Sequence, residues 1–186
     1  MTGFSRRGKP LKPTRLISPP GTYFVTSSTW QRRQLFRTEP WARLFLKVLY
    51  GYRRQGHYAL HAFVLMPEHF HLLLTPVVTV ERALQLIKGG YSHAAGQEFG
   101  RNMEIWQRGF TDHRIRDVAD FQAHRDYIHR NPVERGLVAE ASQYRYCSAY
   151  PGFRLDEWFA SEQAGRSQRP TPAAEAGLLL APWRHD

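Results

Sequence analysis

Residues 62–76 constrain the fold more than any other stretch, because two strongly apolar runs, Phe63-Val64-Leu65-Met66 and Leu72-Leu73-Leu74, stand on either side of Pro67-Glu68. Each run has the composition and length of a buried strand. Proline has no amide hydrogen for a strand ladder, so Pro67 cannot lie inside a central strand and Pro67-Glu68 must be a turn. The two runs therefore form a hairpin whose second strand opens at His69. Side chains alternate across a sheet, which sends His69 and His71 to one face and Phe70 to the other, toward the core.

Two imidazoles side by side on a rigid strand make half of a divalent-cation site, since neutral imidazole is the commonest metal-binding side chain. The competing reading is a pair of ordinary histidines, each with its own hydrogen bond, and the motif alone does not separate the two. The surroundings favour a ligand. Apolar residues crowd both rings, and a polar group in a water-excluding sheet needs a partner.

The remaining chain reads as one domain built around that hairpin. Residues 21–29 have the aromatic and β-branched content of a first strand. Residues 38–52 place Trp41, Leu44, Phe45, Val48, Leu49 and Tyr52 at helical spacings, with Pro40 in the first turn. A strand over 58–65 leads into the hairpin, which runs to about residue 75. A second helix spans 80–99, where Gly89-Gly90 weakens the middle and offers a place for a nucleic-acid strand to approach. Residues 105–116 are alternating, aromatic and basic, an extended segment ending where Asp117 caps a third helix. That helix is expected to stop at Asn131-Pro132, because the residue before proline is pushed out of helical conformation. Residues 133–138 and 144–150 complete the body.

This order of elements predicts an α+β domain, ferredoxin-like or RRM-like: an antiparallel sheet covered on one face by helices, with the other face free for ligand. Its expected extent is residues 21–160. Residues 1–20, with Arg6, Arg7, Lys9, Lys12 and Arg15 among prolines, read as a basic flexible arm that either orders against nucleic acid or stays solvated. Residues 161–186 read as a Pro/Ala/Arg-rich tail.

A length of 186 residues with 42% hydrophobic content suits a single core. The net charge of +10 comes from 26 Lys+Arg against 16 Asp+Glu, and arginine, whose planar fork pairs bidentately with phosphate, dominates the basic set. That balance points to a polyanion. Candidate phosphate contacts are Arg32, Arg33, Lys88, Arg108, Arg114 and Arg116, with His113 beside them either orienting substrate or making a structural hydrogen bond. The single cysteine, Cys147, excludes an internal disulfide and a cysteine-based zinc cluster and fits a reducing compartment, so a cytoplasmic location is expected. No run approaches the roughly 20 apolar residues of a membrane span.

Tyr127 and Asn131 lie four residues apart, on one face of the third helix. Each has a plain reading, as a packing aromatic and a helix-ending residue. Joined to a histidine pair and an arginine-rich surface, they suggest phosphoryl chemistry. A tyrosine hydroxyl with a pKa near 10 is a poor nucleophile until its proton is removed or its target is made more electrophilic, and a divalent metal on a phosphate does the latter. His69, His71 and the Asn131 oxygen would supply three ligands to it.

These residues also carry a family resemblance. Met66-Pro67-Glu68-His69-Phe70-His71 resembles the HUH motif of the Y1 transposases. Trp106-Gln107 to Phe110 with His113, then Asp126-Tyr127-Ile128-His129-Arg130-Asn131-Pro132-Val133 to Gly136-Leu137-Val138, is similar to the REP-associated tyrosine transposases. The resemblance covers about residues 20–150. It implies an HUH endonuclease fold, a Mg²⁺ or Mn²⁺ cofactor, and single-stranded DNA with palindromic hairpins as substrate. It further implies nicking and rejoining through a 5′-phosphotyrosine, with Tyr127 as nucleophile and His69, His71 and Asn131 as metal ligands. Whether such a chain acts as a monomer or as a homodimer that lends its tyrosine to the partner is left open. The alternative of another class is a non-catalytic single-stranded nucleic-acid-binding module that stacks bases on an RRM-like sheet. A metal-dependent hydrolase ranks below both, because further histidine and carboxylate ligands are not apparent.

Overall fold

The computed structural model describes residues 18–100 and 103–159. Most of the arm over residues 1–20 and the whole tail from residue 161 lie outside them. Four strands, β1 (Tyr23–Ser28), β2 (Tyr58–Met66), β3 (His69–Pro76) and β4 (Thr111–Arg114), and three long helices, α1 (Glu39–Arg54), α2 (Val80–Phe99) and α3 (Val118–Glu134), follow one another as β1-α1-β2-β3-α2-β4-α3. The strands form one antiparallel sheet in the order β2-β3-β1-β4.

The β2–β3 hairpin turns at Pro67-Glu68 and pairs Met66 with His69, as the proline requires. Its strands are buried on both faces. Phe63, Leu65, Phe70, Leu72 and Leu74 join Tyr23 and Val25 of β1 in a core with Phe45 and Leu49 of α1 and Leu84, Ile87 and Tyr91 of α2. Phe70 packs on Phe45 at 5.0 Å and edge-on to Trp106 at 5.5 Å between ring centroids. The opposite face carries Ala62, Val64, Met66 and Leu73, and against these sit Phe121 and Ile128 of α3.

The sheet thus has no free face at the histidines. The expectation of helices on one side only is corrected by α3, which lies across β2 and β3 because Ala62, Val64 and Met66 present an apolar strip that must be covered. Over β2 and β3, the face that a base-stacking module would need is covered by α3. Helix α3 also runs through Pro132 instead of stopping at Asn131. Pro132 forfeits one amide bond in the last turn, the amides of Arg135 and Leu137 bond to the carbonyls of Asn131 and Pro132, and the stop comes at Gly136, whose φ of 64° suits a residue without Cβ. Gly90 serves helix packing: a Cβ there would lie 2.6 Å from the Tyr52 ring of α1. The close approach of α1 explains that glycine, while a Cβ on the neighbouring Gly89 would meet nothing within 4 Å.

Strand β2 contains one register shift. Leu60 pairs with Leu74 and Ala62 with Leu73, so His61 is an extra residue that bulges from the strand and reverses which side chains face which core. Its ring bridges the Asp156 carbonyl (2.9 Å) and the Thr75 hydroxyl (2.8 Å). The outer edge of β2 is covered by residues 146–156, through bonds from the amides of Leu65, Ser148 and Asp156 to the carbonyls of Tyr146, Phe63 and Leu60.

Truncating the central aromatic should show how much of the fold rests on that first core. Phe70→Ala is expected to cost about 3–5 kcal/mol of unfolding free energy, read by urea denaturation. A loss under about 1 kcal/mol, far below the usual cost of such a truncation, would mean that Phe70 is not a keystone of the core.

Candidate active site

The histidines face each other from one strand. His69 Nε2 and His71 Nε2 are 3.1 Å apart, and both rings are buried. Their other nitrogens are held from outside: His69 Nδ1 lies 3.2 Å from Glu68 Oε1, and His71 Nδ1 lies 2.7 Å from Thr26 Oγ1 of β1. A carboxylate only accepts, so Glu68 fixes the proton of His69 on Nδ1 and leaves its Nε2 lone pair turned toward His71. Burial lowers the pKa of both imidazoles. That of His69 falls despite Glu68, and that of His71 falls to about 3, helped by the neighbouring His69 and by Arg135. Both rings are therefore neutral at pH 7, and two facing nitrogens at this distance need a proton or a cation between them.

Helix α3 brings the tyrosine to the pair. Residues Asp120, His124, Tyr127, Asn131 and Arg135 recur at helical spacing and form one stripe beside the apolar residues Phe121 and Ile128. Docking of the apolar residues on β2 lays the stripe along the histidine face of the sheet. The Tyr127 ring stands edge-on to His71 at 5.3 Å and to Phe24 at 5.8 Å, while the residue stays 39% exposed. Asn131, one turn on, is 5% exposed, and its Oδ1 is buried with no hydrogen-bond partner among the described residues. Such an oxygen costs about 1–3 kcal/mol if nothing meets it.

These donors fit a hard or borderline divalent cation. Two neutral imidazole nitrogens with outward-anchored Nδ1 atoms and one orphaned amide oxygen are the donor types that such an ion takes. Adjacent ligands of an octahedral ion with bonds of about 2.1 Å lie about 3 Å apart, close to the observed nitrogen separation.

The six basic candidates separate into different settings. Arg32 bonds Glu68 Oε1 at 2.8 Å and so stands at the rim of the histidine pair. Arg116 reaches Asp120 Oδ2 at 3.2 Å near the other end of the stripe. Arg33 bonds the carbonyls of Trp30 and Glu104, and Arg114 bonds the Pro20 carbonyl. Arg108 is exposed in the loop before β4. Lys88 donates to the carbonyls of Gln107 (3.0 Å) and Gly109 (2.7 Å), and burial lowers its pKa to about 8, so its ammonium braces that loop. His113 is bound to Asp120 at 2.9 Å.

The structure adds four residues that sequence reasoning passes over: Thr26 and Glu68, which anchor the histidines; Arg135, 4.0 Å from Glu68; and Phe24, stacked on His71 at 5.3 Å. Glu68 and Arg135 carry a signal, as the residue preceding His69 and the next step of the Tyr127–Asn131 spacing. Thr26 and Phe24 carry none, because their place depends on strand pairing. Gln31 and Arg32 adopt φ of 53° and 51°, a left-handed turn unusual for residues with Cβ, and this turn aims Arg32 at Glu68.

A sheet that presents two facing imidazoles, under a helix that presents a reachable tyrosine and a buried amide oxygen, defines the class of single-tyrosine DNA transposases. The comparisons with known proteins agree with that class. Residues 21–131 match the family model described as transposase IS200 like. The chain is 30% identical over 129 residues to the REP-associated tyrosine transposase of Escherichia coli, covering 68% of this chain and 74% of that protein. It is 33% identical over 99 residues to a Haemophilus influenzae protein provisionally given the same name, covering 47% and 56% of the two chains. A solved REP-associated tyrosine transposase bound to a REP hairpin superposes with a TM-score of 0.62 at 26% identity, covering 81% of this chain and 99% of that one. The chain belongs to the IS200-like transposase family. It is an α+β enzyme of the HUH type.

Buried neutral imidazoles give the fold a defined acid sensitivity. His61, His69, His71 and His129 all have lowered folded-state pKa values, chiefly through burial. The unfolded chain therefore takes up protons below its imidazole pKa near 6.5 that the folded chain refuses, and stability present above that pH is lost as pH falls. Urea denaturation at about pH 7.5, 6.5 and 5.5, which spans that imidazole pKa, should show a falling unfolding free energy before the carboxylates contribute. A flat profile over that window would show that these rings protonate freely in the folded protein.

Proposed function

We propose that this transposase nicks and rejoins single-stranded DNA at hairpin-forming repeats, with Tyr127 as nucleophile. The observation that carries the reading is the edge-on placement of Tyr127 against His71, at the mouth of the paired histidines. The hairpin substrate rests on a relative described as bound to a REP hairpin. The chain's net charge of +10 suits that partner.

In this mechanism His69 and His71 through Nε2, and Asn131 through Oδ1, would hold a Mg²⁺ or Mn²⁺ ion. When bound, the ion withdraws charge from the scissile phosphate. Glu68 and Thr26 fix the rings so that both Nε2 atoms converge. Arg32 and Arg135, drawn to the rim by Glu68, face the incoming phosphate backbone. Tyr127, which is open to solvent, gives its Oη proton to water as that oxygen attacks phosphorus. The bond to the 3′ oxygen breaks, and the 3′ oxygen takes up a proton from water and leaves as a hydroxyl. The 5′-phosphotyrosine keeps the phosphoester energy, and attack by another 3′-hydroxyl reverses the step on a new strand. Arg33, Lys88, Arg108, Arg114 and Arg116 are further candidates for phosphate contacts at separate places on the surface, Lys88 being shared with the carbonyls of Gln107 and Gly109, and His113 is a candidate for orienting substrate. We assign the catalytic unit to residues 21–160, with a basic arm before it and a Pro/Ala/Arg-rich tail after it. A cytoplasmic location accords with an enzyme acting on DNA, and among the described residues no helix is long and apolar enough to cross a membrane.

The test is a denaturing gel of the full chain with labelled single-stranded hairpins, with and without Mg²⁺ or Mn²⁺. A metal-dependent covalent adduct is expected, and Tyr127→Phe should remove it, a loss of at least about a thousandfold for a deleted nucleophile, while hairpin binding persists. Binding without any adduct under every metal would sink the reading. Glu68→Gln keeps the size of the side chain but weakens its hold on His69, and should raise the metal concentration needed for half-maximal adduct about 10–100-fold. An unchanged metal requirement would remove Glu68 from the site.

A further inference from the structure

A second cluster lies further along the same stripe of α3. His113 of β4 and Asp120 and His124 of α3 each offer one ligating atom, all within 4.8 Å of one another. His113 Nε2 is 2.9 Å from Asp120 Oδ2, and His124 Nδ1 is 3.0 Å from Asp120 Oδ1. The two imidazoles stack at 4.6 Å with planes 17° apart, so both turn their nitrogens toward one carboxylate. That carboxylate is 8% exposed, whereas His113 and His124 are 39% and 23% exposed, which leaves an entry path from solvent on the imidazole side. The carboxylate is itself positioned: the Asp120 amide donates to the Asp117 side chain at 2.8 Å, and the Arg116 amide donates to Asp120 Oδ2 at 3.0 Å.

His113, Asp120 and His124 take no part in the bond-making and bond-breaking step proposed for Tyr127. The Phe24 ring separates it from the His69–His71 pair, at 5.3 Å from His71 and 4.7 Å from His124. A two-metal phosphate site needs ions about 3.5–4 Å apart, and an intervening aromatic ring forbids that. Two imidazoles and a carboxylate on three separate positions of a strand and a helix are a donor set for a borderline ion, with room for water at a fourth position.

We propose that His113, Asp120 and His124 bind one zinc-class divalent ion, which fastens β4 to the first half of α3. The ion takes the place of the proton between His113 and Asp120 and of the one on His124 Nδ1, which lies 2.8 Å from the Asp120 carbonyl as well as 3.0 Å from its carboxylate. Arg116 Nε stays 3.2 Å from Asp120 Oδ2. Among the described residues, strand β4 is four residues long and pairs only with β1, and α3 buries few apolar side chains, so a cross-link between them holds the element that carries Tyr127 one turn beyond His124. The site stands whether or not Tyr127 is a nucleophile.

The experiment uses the full chain, stripped with a chelator and dialysed at about pH 7.5, where free imidazole is neutral, in a His69→Ala/His71→Ala background that removes the other histidine pair. Isothermal titration with Zn²⁺ should give one equivalent bound, and Co²⁺ should give visible absorption bands from an ordered site. Adding His124→Gln should weaken Zn²⁺ binding at least about tenfold, consistent with loss of a ligand, and abolish the Co²⁺ bands; His113→Gln should act likewise. Far-UV circular dichroism establishes that each variant is folded. If the background does not fold, the wild-type chain serves, with two equivalents of Zn²⁺ expected to fall to one in His124→Gln. A folded background that binds no Zn²⁺, or binding untouched by both glutamine variants, overturns the proposal and leaves a hydrogen-bonded triad. Because the readout is metal stoichiometry, its failure is distinct from failure of the hairpin adduct assay.

Discussion

The contact of Phe121 and Ile128 with Ala62, Val64, Met66 and Leu73 turns separate stretches of chain into one site. Histidines on β3 and a tyrosine far along the chain have no reason to meet unless α3 is laid on that face of the sheet. Two large apolar side chains are a modest anchor, about 1.5–3 kcal/mol each on burial. By contrast, α1 and α2 share a core with many aromatic residues. The candidate site is thus divided between a rigid half, the sheet with its histidines, and a more lightly held half, the helix with its tyrosine. Phe24 joins the halves, stacking on His71 from β1 while touching both Tyr127 and His124.

Charge is arranged around the histidines so that none of it sits on them. Glu68 orients His69 and is in turn held by Arg32 and Arg135, so the carboxylate neither leaves the site nor dominates its potential. The rim remains positive toward solvent and the interior stays neutral. The left-handed turn at Gln31 and Arg32 is the backbone cost of that arrangement, and it is tied down by the Arg32 amide, which bonds the Thr29 carbonyl at 3.0 Å.

Much of this is legible in the sequence because the constraints are local. Pro67 dictates a turn, strand alternation puts Phe70 opposite His69 and His71, and a spacing of four places Tyr127 and Asn131 together. Asp117 does cap α3, accepting from the Asp120 amide at 2.8 Å. What escapes is tertiary. The docking of α3 on the second face rests on two side chains in an otherwise polar helix, too faint a stripe to read. The partnerships of Thr26 and Phe24 depend on which strands are neighbours. Pro132 looks like a terminator because its missing amide is plain in the sequence, while the glycine that ends the helix, Gly136, sits a turn later. Lys88 looks like a free cation because the carbonyls it braces belong to a loop that returns to it only in three dimensions.

The bulge at His61 has an effect beyond its own turn of chain. Before it, Tyr58 and Leu60 point into the core shared with α1 and α2; after it, Ala62, Val64 and Met66 point toward α3. A regular strand through the same residues would put one half of β2 out of phase with the other. The extra residue acts as a phase adjuster, which lets the beginning of the strand vary with the scaffold while the end keeps step with the histidines. Insertions or deletions on the early side of His61 are thereby uncoupled from the geometry of the site, a separation that a ladder of perfect alternation would not allow.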